Sequence, residues 1–428
     1  MEWLRASVTV PLALVVILAA ATIVLGLALW SVKRRPKPRL RIACETPIAE
    51  LAPTLSGTTH GALIEGNAVE LFENEALFDA VFADIRAATR SVHFETFLWK
   101  DGVLGRRMAD ALAERSRSGA AVRVLVDAVG GKKMGDEAKR RLRESGCKLY
   151  LYRPRHLTRI GVVNERDHRK ITVIDGRIAY VCGHCIVDNW LGNGQDRDHF
   201  RDIAIRLRGP VVHAVQSAFF ENWVEESGEL LIGDDVFPAL QPEGDVPVHI
   251  ARIKPQGSAP AVQVLHHLAI TAARERILIQ NPYFLPDPEA MHAFARAVER
   301  GVDVRVMVPS AEVSDMPIVQ HAAHRNFDAL LASGVRIYEY QTTLLHQKVM
   351  TIDGVWSAVG STNFDDRSFE ISDEITAGIY DEAIARRLEA IFERDLRDCV
   401  ELELASWRKR GVWHRFKDNA LYLFNEQM

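Results

Sequence analysis

Short apolar runs alternate with segments of helical period along most of this chain, and the alternation occurs twice in the same order. The run from Ser91 to Trp99 matches the run from Arg276 to Phe284 as a strand, and a segment with helical spacing follows each. Two more strands, separated by a second helix, and then a hairpin complete each copy. Alternating β and α segments of this kind are typical of an α/β sandwich with mixed sheets. The pattern therefore predicts two repeated α/β halves.

The hairpin of the first copy carries the polar residues of most interest. His168 and Lys170 precede a β-branched run that ends in Asp175-Gly176, and a second apolar run follows. An Asp-Gly pair between two such runs is a strong short-range hairpin signal. A two-residue turn would pair residue 174 with residue 177 and place His168 opposite Gly183. Histidine and lysine, two positions apart on a strand, project from the same face.

The second copy repeats these residues at one constant interval. The equivalents of His168, Lys170, Asp175 and Gly183 are His346, Lys348, Asp353 and Ser361. Each ribbon thus has an imidazole, an ammonium and a small residue at one end, and a small residue lets a phosphate approach backbone N–H groups. The two aspartates sit at the turns, where aspartate is favoured for its own backbone hydrogen bonding. A structural role for them is the first interpretation and a catalytic role the second.

Composition and charge limit the partners and cofactors that the chain is expected to bind. The chain has 428 residues, 48% of them hydrophobic and 26% charged, which suits two globular domains. A net charge of −4 gives no basic footprint, so no nucleic-acid partner is expected. The five cysteines are scattered and suit a reducing compartment. The pair Cys182 and Cys185 has no second pair at zinc spacing, so neither a metal nor another cofactor is expected.

The amino terminus predicts a single transmembrane helix. Residues 8–32 are uncharged and would form a helix about 37 Å long, against a hydrocarbon core of about 30 Å. The residues before this run carry little net charge, which favours an uncleaved anchor over a secretory signal. Six basic residues follow the run: Lys33, Arg34, Arg35, Lys37, Arg39 and Arg41. The positive-inside rule places them, and the body of the chain that follows, on the cytoplasmic side of the inner membrane.

The repeat also delimits four segments. These are an anchor with its basic flank (1–40), a first half (41–235), a second half (236–400) and a basic, aromatic tail (401–428). The first half has ten additional residues at about 154–165, which we interpret first as a solvated loop; a rim of the active-site mouth and a membrane-touching element are the alternatives. The tail suits an interfacial helix as well as a helix packed on the body.

From about residue 69 to residue 392 the chain resembles the bacterial cardiolipin synthases of the phospholipase D superfamily. The motifs that carry the resemblance are Glu95-Thr-Phe97, the two His-x-Lys-x4-Asp hairpins, Arg201-Asp202, Asp315 to Val319 and Gly360 to Glu370. The resemblance implies two repeated phospholipase D-like α/β sandwich halves around a pseudo-two-fold, preceded by one transmembrane helix. The first copy departs from the family pattern, because Cys185 stands where Asn363 stands in the second.

The resemblance also implies the roles of individual residues. The catalytic set would be His168, Lys170, His346, Lys348, Asp175 and Asp353. The substrate-binding set would be Gly183, Ser361, Asn363, Asp202 and Glu374. One histidine, by analogy His168, would attack phosphorus to form a phosphatidyl-histidine, and the other would act as acid and base. Asp202 and Glu374 either orient the imidazoles or form structural salt bridges.

The function that the resemblance implies is phosphatidyl transfer at the membrane, in which two phosphatidylglycerols give cardiolipin and glycerol. Anionic phospholipid is then the expected partner. Two alternatives stay open at this point. One is a phosphodiester hydrolase, either a phospholipase D or a nuclease, and the other is a lipid-binding relative without activity.

Overall fold

The computed structural model describes residues 11–32, 44–154, 165–254 and 260–411, with side chains of the first range described to residue 26. The helices are α1 (Leu12–Val32), α2 (Ala52–Thr59), α3 (Ala76–Ala87), α4 (Val103–Arg117), α5 (Asp136–Glu144), α6 (Val212–Ser227), α7 (Ala261–Ala272), α8 (Pro288–Glu299), α9 (Pro317–Ala332), α10 (Asp366–Glu370), α11 (Glu382–Asp395) and α12 (Leu404–Arg408). The strands are β1 (Leu63–Glu73), β2 (Ser91–Thr96), β3 (Ala121–Asp127), β4 (Lys148–Tyr152), β5 (Arg166–Asp167), β6 (Ile171–Ile174), β7 (Ile178–Cys182), β8 (Ile203–Arg208), β9 (Val246–Ile253), β10 (Arg276–Gln280), β11 (Asp303–Pro309), β12 (Arg336–Tyr340), β13 (Val349–Ile352), β14 (Trp356–Gly360), β15 (Ser372–Tyr380) and β16 (Cys399–Glu401). The mixed α/β class predicted from the sequence is confirmed.

The chain divides into two compact units, and α1 is the described element of the first. In the second unit, the body, the described strands form one continuous mixed sheet. We call β1 to β8 the first half and β9 to β16 the second half. Read outward from the antiparallel pair β1–β9, the strand orders are β1-β8-β7-β6-β2-β3-β4 and β9-β15-β14-β13-β10-β11-β12, with β16 at the far edge. The repeat in sequence is therefore a repeat in topology, joined into one sheet.

A shared apolar core fastens the two halves together. Helix α6 packs on β4, β6, β7 and β9, and α11 packs on β10, β13 and β14. Buried side chains of these helices and of β15, among them Phe219, Trp223, Leu388 and Ile379, belong to one cluster that crosses the β1–β9 junction. Burial of large apolar side chains is the dominant stabilising term in a fold of this kind. The halves consequently present their hairpins to each other in a fixed arrangement.

The two hairpins differ from the predicted register by one residue. Ile174 pairs with Ile178 rather than with residue 177, and the second hairpin shows the same offset. The Asp-Gly pair does form a tight turn, with φ of 52° and 63°, closed by the N–H of Arg177 donating to the carbonyl of Ile174 at 2.9 Å. Arg177 then occupies an additional position outside the ladder. The prediction that His168 lies opposite Gly183 is therefore wrong by one residue.

The aspartate of each turn binds the start of a neighbouring strand. The carboxylate of Asp175 accepts from the backbone N–H groups of Thr89, Arg90 and Ser91 at 2.7–2.9 Å. Asp353 accepts in the same way from residues 274–276. Although partial burial opposes it, these N–H donors lower the pKa of Asp175. Each aspartate thus fixes its turn to the strand beside it.

The predicted transmembrane segment, residues 8–32, lies partly outside the described residues. Within α1 the side chains of Leu12, Ile17 and Ile23 are 79%, 62% and 63% exposed. In the described part of the chain, no helix combines the length and the apolar character that crossing a membrane requires.

Two other predicted segments are also only partly described. The ten-residue insertion lies almost entirely outside the described residues. Of the tail, residues 401–411 are described, and Trp407 of α12 is buried against Phe327 of α9 with ring centroids 5.6 Å apart.

Removing the carboxylate of Asp175 should destabilise the fold. We expect Asp175→Ala to lower the free energy of unfolding by about 2 kcal/mol, because charge-assisted hydrogen bonds to several backbone donors are lost. Chemical denaturation measures this change. Asp235→Ala is the matched control, because Asp235 forms an exposed ion pair with Arg90 at 3.7 Å, and such pairs contribute little. Equal stability of the two variants would contradict the role assigned to Asp175.

Candidate active site

The main chain around each hairpin histidine is bound by the other half of the protein. The N–H of His168 donates to the carbonyl of Asp373 at 3.0 Å, and the N–H of His346 donates to the carbonyl of Arg201 at 2.7 Å. Each histidine directly precedes its hairpin; the carbonyl of Asp373 lies at the start of β15, and that of Arg201 lies just before β8. The two motifs therefore meet at one place, where the halves join.

The side chains cross the junction in the same way. His168 Nδ1 lies 2.8 Å from Glu374 Oε1, and His346 Nδ1 lies 2.8 Å from Asp202 Oδ2. The imidazole side chains are 16% and 8% exposed, and both carboxylates are fully buried. A carboxylate that binds Nδ1 fixes the ring orientation and leaves Nε2 as the nitrogen able to react. The arrangement is two oriented imidazoles that share one site.

Two lysines provide positive charge beside the imidazoles. Lys170 Nζ donates to the carbonyl of His168 at 2.6 Å. Lys348 Nζ donates to the carbonyl of His346 at 2.7 Å and lies 2.9 Å from the ring. Burial, reinforced by the charge of Lys170, lowers the pKa of Lys348 to about 7. Two lysine side chains beside the imidazoles suit a ligand with negative charge on several oxygens.

The electrostatics of the two crossed pairs differ. Burial, together with the charge of Lys348, lowers the pKa of His346 to about 4, and burial lowers the pKa of His168 as well. Burial raises the pKa of Glu374 to about 8. Burial opposes ionisation of Asp202 too, but the neighbouring His184 and His346 lower its pKa. The pKa of the carboxylate in the His346 pair is therefore lowered, whereas the pKa of the carboxylate in the His168 pair is raised.

Further residues hold the two carboxylates in place. Trp190 Nε1 donates to Asp202 Oδ2 at 2.9 Å, and the tryptophan ring lies edge-on to His346 with centroids 5.1 Å apart. The hydroxyl of Ser361 donates to Glu374, and Ser368 also hydrogen-bonds that carboxyl. A Cβ on Gly183 would lie 2.7 Å from both oxygens of Asp202. The position of Gly183 thus makes room for the carboxylate of its own half.

A family model described as cardiolipin synthase, phospholipase D-like domain, matches residues 81–222 and 268–396, more than half of the chain. The chain belongs to this phospholipase D-like family. It is accordingly a phospholipase D-superfamily transferase of phospholipid synthesis.

Curated members of this family align with most of the chain. The cardiolipin synthase of Staphylococcus aureus strain Mu50 is 33% identical over 356 residues, which are 82% of this chain and 72% of that protein. The major cardiolipin synthase of Bacillus subtilis strain 168 is 31% identical over 370 residues, or 86% and 76%.

Solved structures share the fold at low identity. A phosphatidylserine synthase from Haemophilus influenzae has a TM-score of 0.65 and 12% identity, over 88% of this chain and 100% of that one. A polyphosphate kinase from Porphyromonas gingivalis has a TM-score of 0.53 and 15% identity, over 92% of this chain and 58% of that one. These two likenesses concern the fold alone.

Not all of the residues predicted for this phospholipase D-like site are brought together. Asp175 and Asp353, grouped with the catalytic residues by resemblance, lie at the turns, where their carboxylates bind backbone N–H groups. Their geometry supports the structural interpretation. Asn363 is buried, and its Oδ1 has no hydrogen-bond partner among the described residues. Cys185, at the equivalent position, is 2% exposed, and burial raises the pKa of its thiol.

Three further residues lie at the phospholipase D-like site, outside the predicted catalytic and substrate-binding sets. Phe97 lies edge-on to His168 with centroids 5.3 Å apart, Trp190 binds Asp202, and His184 approaches the same carboxylate at 3.8 Å. The repeat interval contained a signal for Trp190, because it follows His168 at the same interval as Ser368 follows His346. Among the described residues no group of three or more His, Cys, Asp or Glu side chains is placed to hold a metal ion.

Adding a methyl group at Gly183 should impair turnover by this phospholipase D-like enzyme. Gly183→Ala would push Asp202 away from His346, and a misplacement of about 1 Å at such a pair can cost about a hundredfold in rate. The kcat for phospholipid turnover measures this loss. Gly57→Ala is the matched control, because nothing lies within 4 Å of a Cβ at that helical glycine. Full activity of Gly183→Ala would contradict the packing described.

Proposed function

We propose that this chain is a membrane-anchored phosphatidyltransferase that converts two phosphatidylglycerols into cardiolipin and glycerol. The observation that carries the proposal is the pair of crossed histidine–carboxylate contacts flanked by two lysines. The curated relatives, named as cardiolipin synthases, support phosphatidylglycerol as donor and acceptor.

In the first displacement, His168 Nε2 attacks the phosphorus of one phosphatidylglycerol. A P–N bond forms and the bond from phosphorus to the glycerol headgroup oxygen breaks. His346, protonated at Nε2, gives that proton to the departing alkoxide, so free glycerol leaves. The order of the two histidines follows the family resemblance.

In the second displacement, a hydroxyl of the second phosphatidylglycerol gives its proton to His346 Nε2. Its oxygen attacks phosphorus, the P–N bond breaks, and cardiolipin leaves with both imidazoles restored. Water in place of this hydroxyl would give phosphatidic acid. Each bond that forms is matched by one that breaks among the two lipids and the two histidines, so the cycle requires no further reactant.

The lysines and the crossed carboxylates stabilise charge during both steps. Lys170 and Lys348 would bind the non-bridging oxygens of the phosphodiester. A bound anion also opposes the effect of the lysines on the imidazoles and so raises the pKa of His346. The ionised Asp202 then stabilises the imidazolium that acts as the acid.

The anchor is proposed from the amino-terminal sequence and from α1. The uncharged run of residues 8–32 is long enough to span a bilayer with some tilt. The exposure of apolar side chains such as Leu12, Ile17 and Ile23 supports a lipid environment. The basic residues that follow favour an inner-membrane protein with its body on the cytoplasmic side.

Both histidines should be indispensable for a single reaction. We expect His168→Ala and His346→Ala each to lower turnover by about three orders of magnitude or more. Phosphatidylglycerol in mixed micelles is the substrate, and mass spectrometry identifies the products. Cardiolipin with glycerol is the expected result for the unaltered protein, and phosphatidic acid would instead establish a hydrolase. His292→Ala, at an exposed histidine, is the control, and substantial activity in either single-site variant would contradict one shared site.

The anchor should concentrate the enzyme on lipid without taking part in the chemistry. Deleting residues 1–33 should release the protein from membranes into the soluble fraction, because the apolar run is removed. Turnover of micellar phosphatidylglycerol should remain. Retention of the shortened protein on salt-washed membranes would show that another segment provides the attachment.

A further inference from the structure

A third histidine lies in the site and has no part in the two displacements. His184 is buried, with 1% of its side chain exposed, and it packs edge-on against Phe78 with centroids 5.7 Å apart. Its Nε2 lies 3.1 Å from the carbonyl oxygen of Asn74. Its Nδ1 lies 3.8 Å from Asp202 Oδ2, the oxygen that also binds His346 and Trp190.

The contact with Asn74 decides which nitrogen of His184 carries the proton. A carbonyl oxygen only accepts, so Nε2 must be the donor. In the neutral ring Nδ1 then carries a lone pair that faces the carboxylate of Asp202. This nitrogen has no hydrogen-bond partner among the described residues. If Nδ1 carried a proton, its N–H would be a third hydrogen-bond donor to Asp202 Oδ2, besides those of His346 and Trp190.

This histidine also breaks the symmetry of the repeat. Thr362 occupies the equivalent place in the second half, and its hydroxyl lies 2.9 Å from that of Thr376. Glu374 therefore has no titratable neighbour of this kind at the equivalent position. The difference concerns only the carboxylate that binds His346.

From this geometry we infer that His184 is a positioning residue that acts through Asp202 to set the proton affinity of His346. The inference deepens the proposed function, on which it rests for its meaning in catalysis. When neutral, His184 leaves the charge of Asp202 available to the His346 imidazolium. When protonated, His184 donates a hydrogen bond to the same oxygen of Asp202 and places a second positive charge near the His346 imidazolium. Both effects lower the pKa of His346.

The charged surroundings determine which state prevails. Burial lowers the pKa of His184, Asp202 raises it, and Lys348 and Arg201 lower it. The thiol of Cys182, 3.8 Å from the carbonyl of His184, stays neutral because burial raises its pKa. His346 itself faces Lys348, Asp202 and Asp315, which lies just before α9. The neutral state of His184 is therefore the resting state at neutral pH.

Two amide substitutions separate the roles of the two ring nitrogens. His184→Gln places an amide near Nε2 and keeps a donor for Asn74 without a group at Nδ1. His184→Asn places an amide near Nδ1, where its N–H can donate permanently to Asp202. His93→Asn is the matched control, because His93 is buried elsewhere, with Nδ1 2.8 Å from Gln216 Oε1.

The primary measurement is the titration of His346 by NMR in the full-length protein in detergent, labelled with isotopically enriched histidine. His346→Ala identifies the resonance. We expect His184→Asn to lower the midpoint of His346 by roughly one pH unit, the scale of a changed hydrogen bond to its carboxylate. His184→Gln should stay closer to the unaltered protein, and His93→Asn should not change the midpoint.

Kinetics on phosphatidylglycerol test the same inference in turnover. His184→Asn should lower kcat with KM unchanged. In the pH profile of kcat, the limb that reports His346 as the acid should move to lower pH. An unchanged midpoint in both His184 variants, or equal shifts in both, would overturn the inference. If the unaltered protein forms no cardiolipin, the proposed function fails, whereas the titration of His346 still decides the role of His184.

Discussion

The site depends on one interaction that is made twice, in which a carboxylate from one half binds the imidazole of the other. The distances of 2.8 Å for His168–Glu374 and for His346–Asp202 are the same. The four side chains are largely buried, so loss of one partner would remove a hydrogen bond that water cannot readily replace. Each half is therefore chemically incomplete alone. The continuous sheet and the apolar core across the β1–β9 junction hold the two contacts at these distances.

The constant interval between the motifs was enough to predict the repeat, the hairpins and the mixed α/β class. It could not predict the exchange of partners, because Asp202 is 144 residues from His346 and far closer in sequence to His168. The turn register was wrong because Arg177 takes a position outside the ladder, which an Asp-Gly pair does not reveal. The division of the chain at residues 40, 235 and 400 stays a prediction.

Equivalent positions in the two halves provide different support to their carboxylates. Glu374 receives hydroxyls from Ser361 and Ser368, whereas Asp202 receives an indole N–H from Trp190 and has space only because residue 183 is glycine. The longer glutamate and shorter aspartate reach their imidazoles at equal distance. Their pKa values nevertheless move in opposite directions. The halves thus share a geometry but differ in electrostatic environment, and the imidazole bound to Asp202, the carboxylate with the lowered pKa, is better suited to carry a proton.

The replacement of the family asparagine by Cys185 fits this asymmetry. An amide at that position would donate a hydrogen bond, as Asn363 can in the second half. A buried thiol donates weakly, but the raised pKa of Cys185 keeps it neutral, so it does not repel a phosphate. Lys170 and Lys348 lie close enough to the imidazoles to supply the charge that a phosphodiester requires. The first half therefore lacks one hydrogen-bond donor to the phosphate. It keeps the positive charge beside the imidazoles that stabilises phosphoryl transfer.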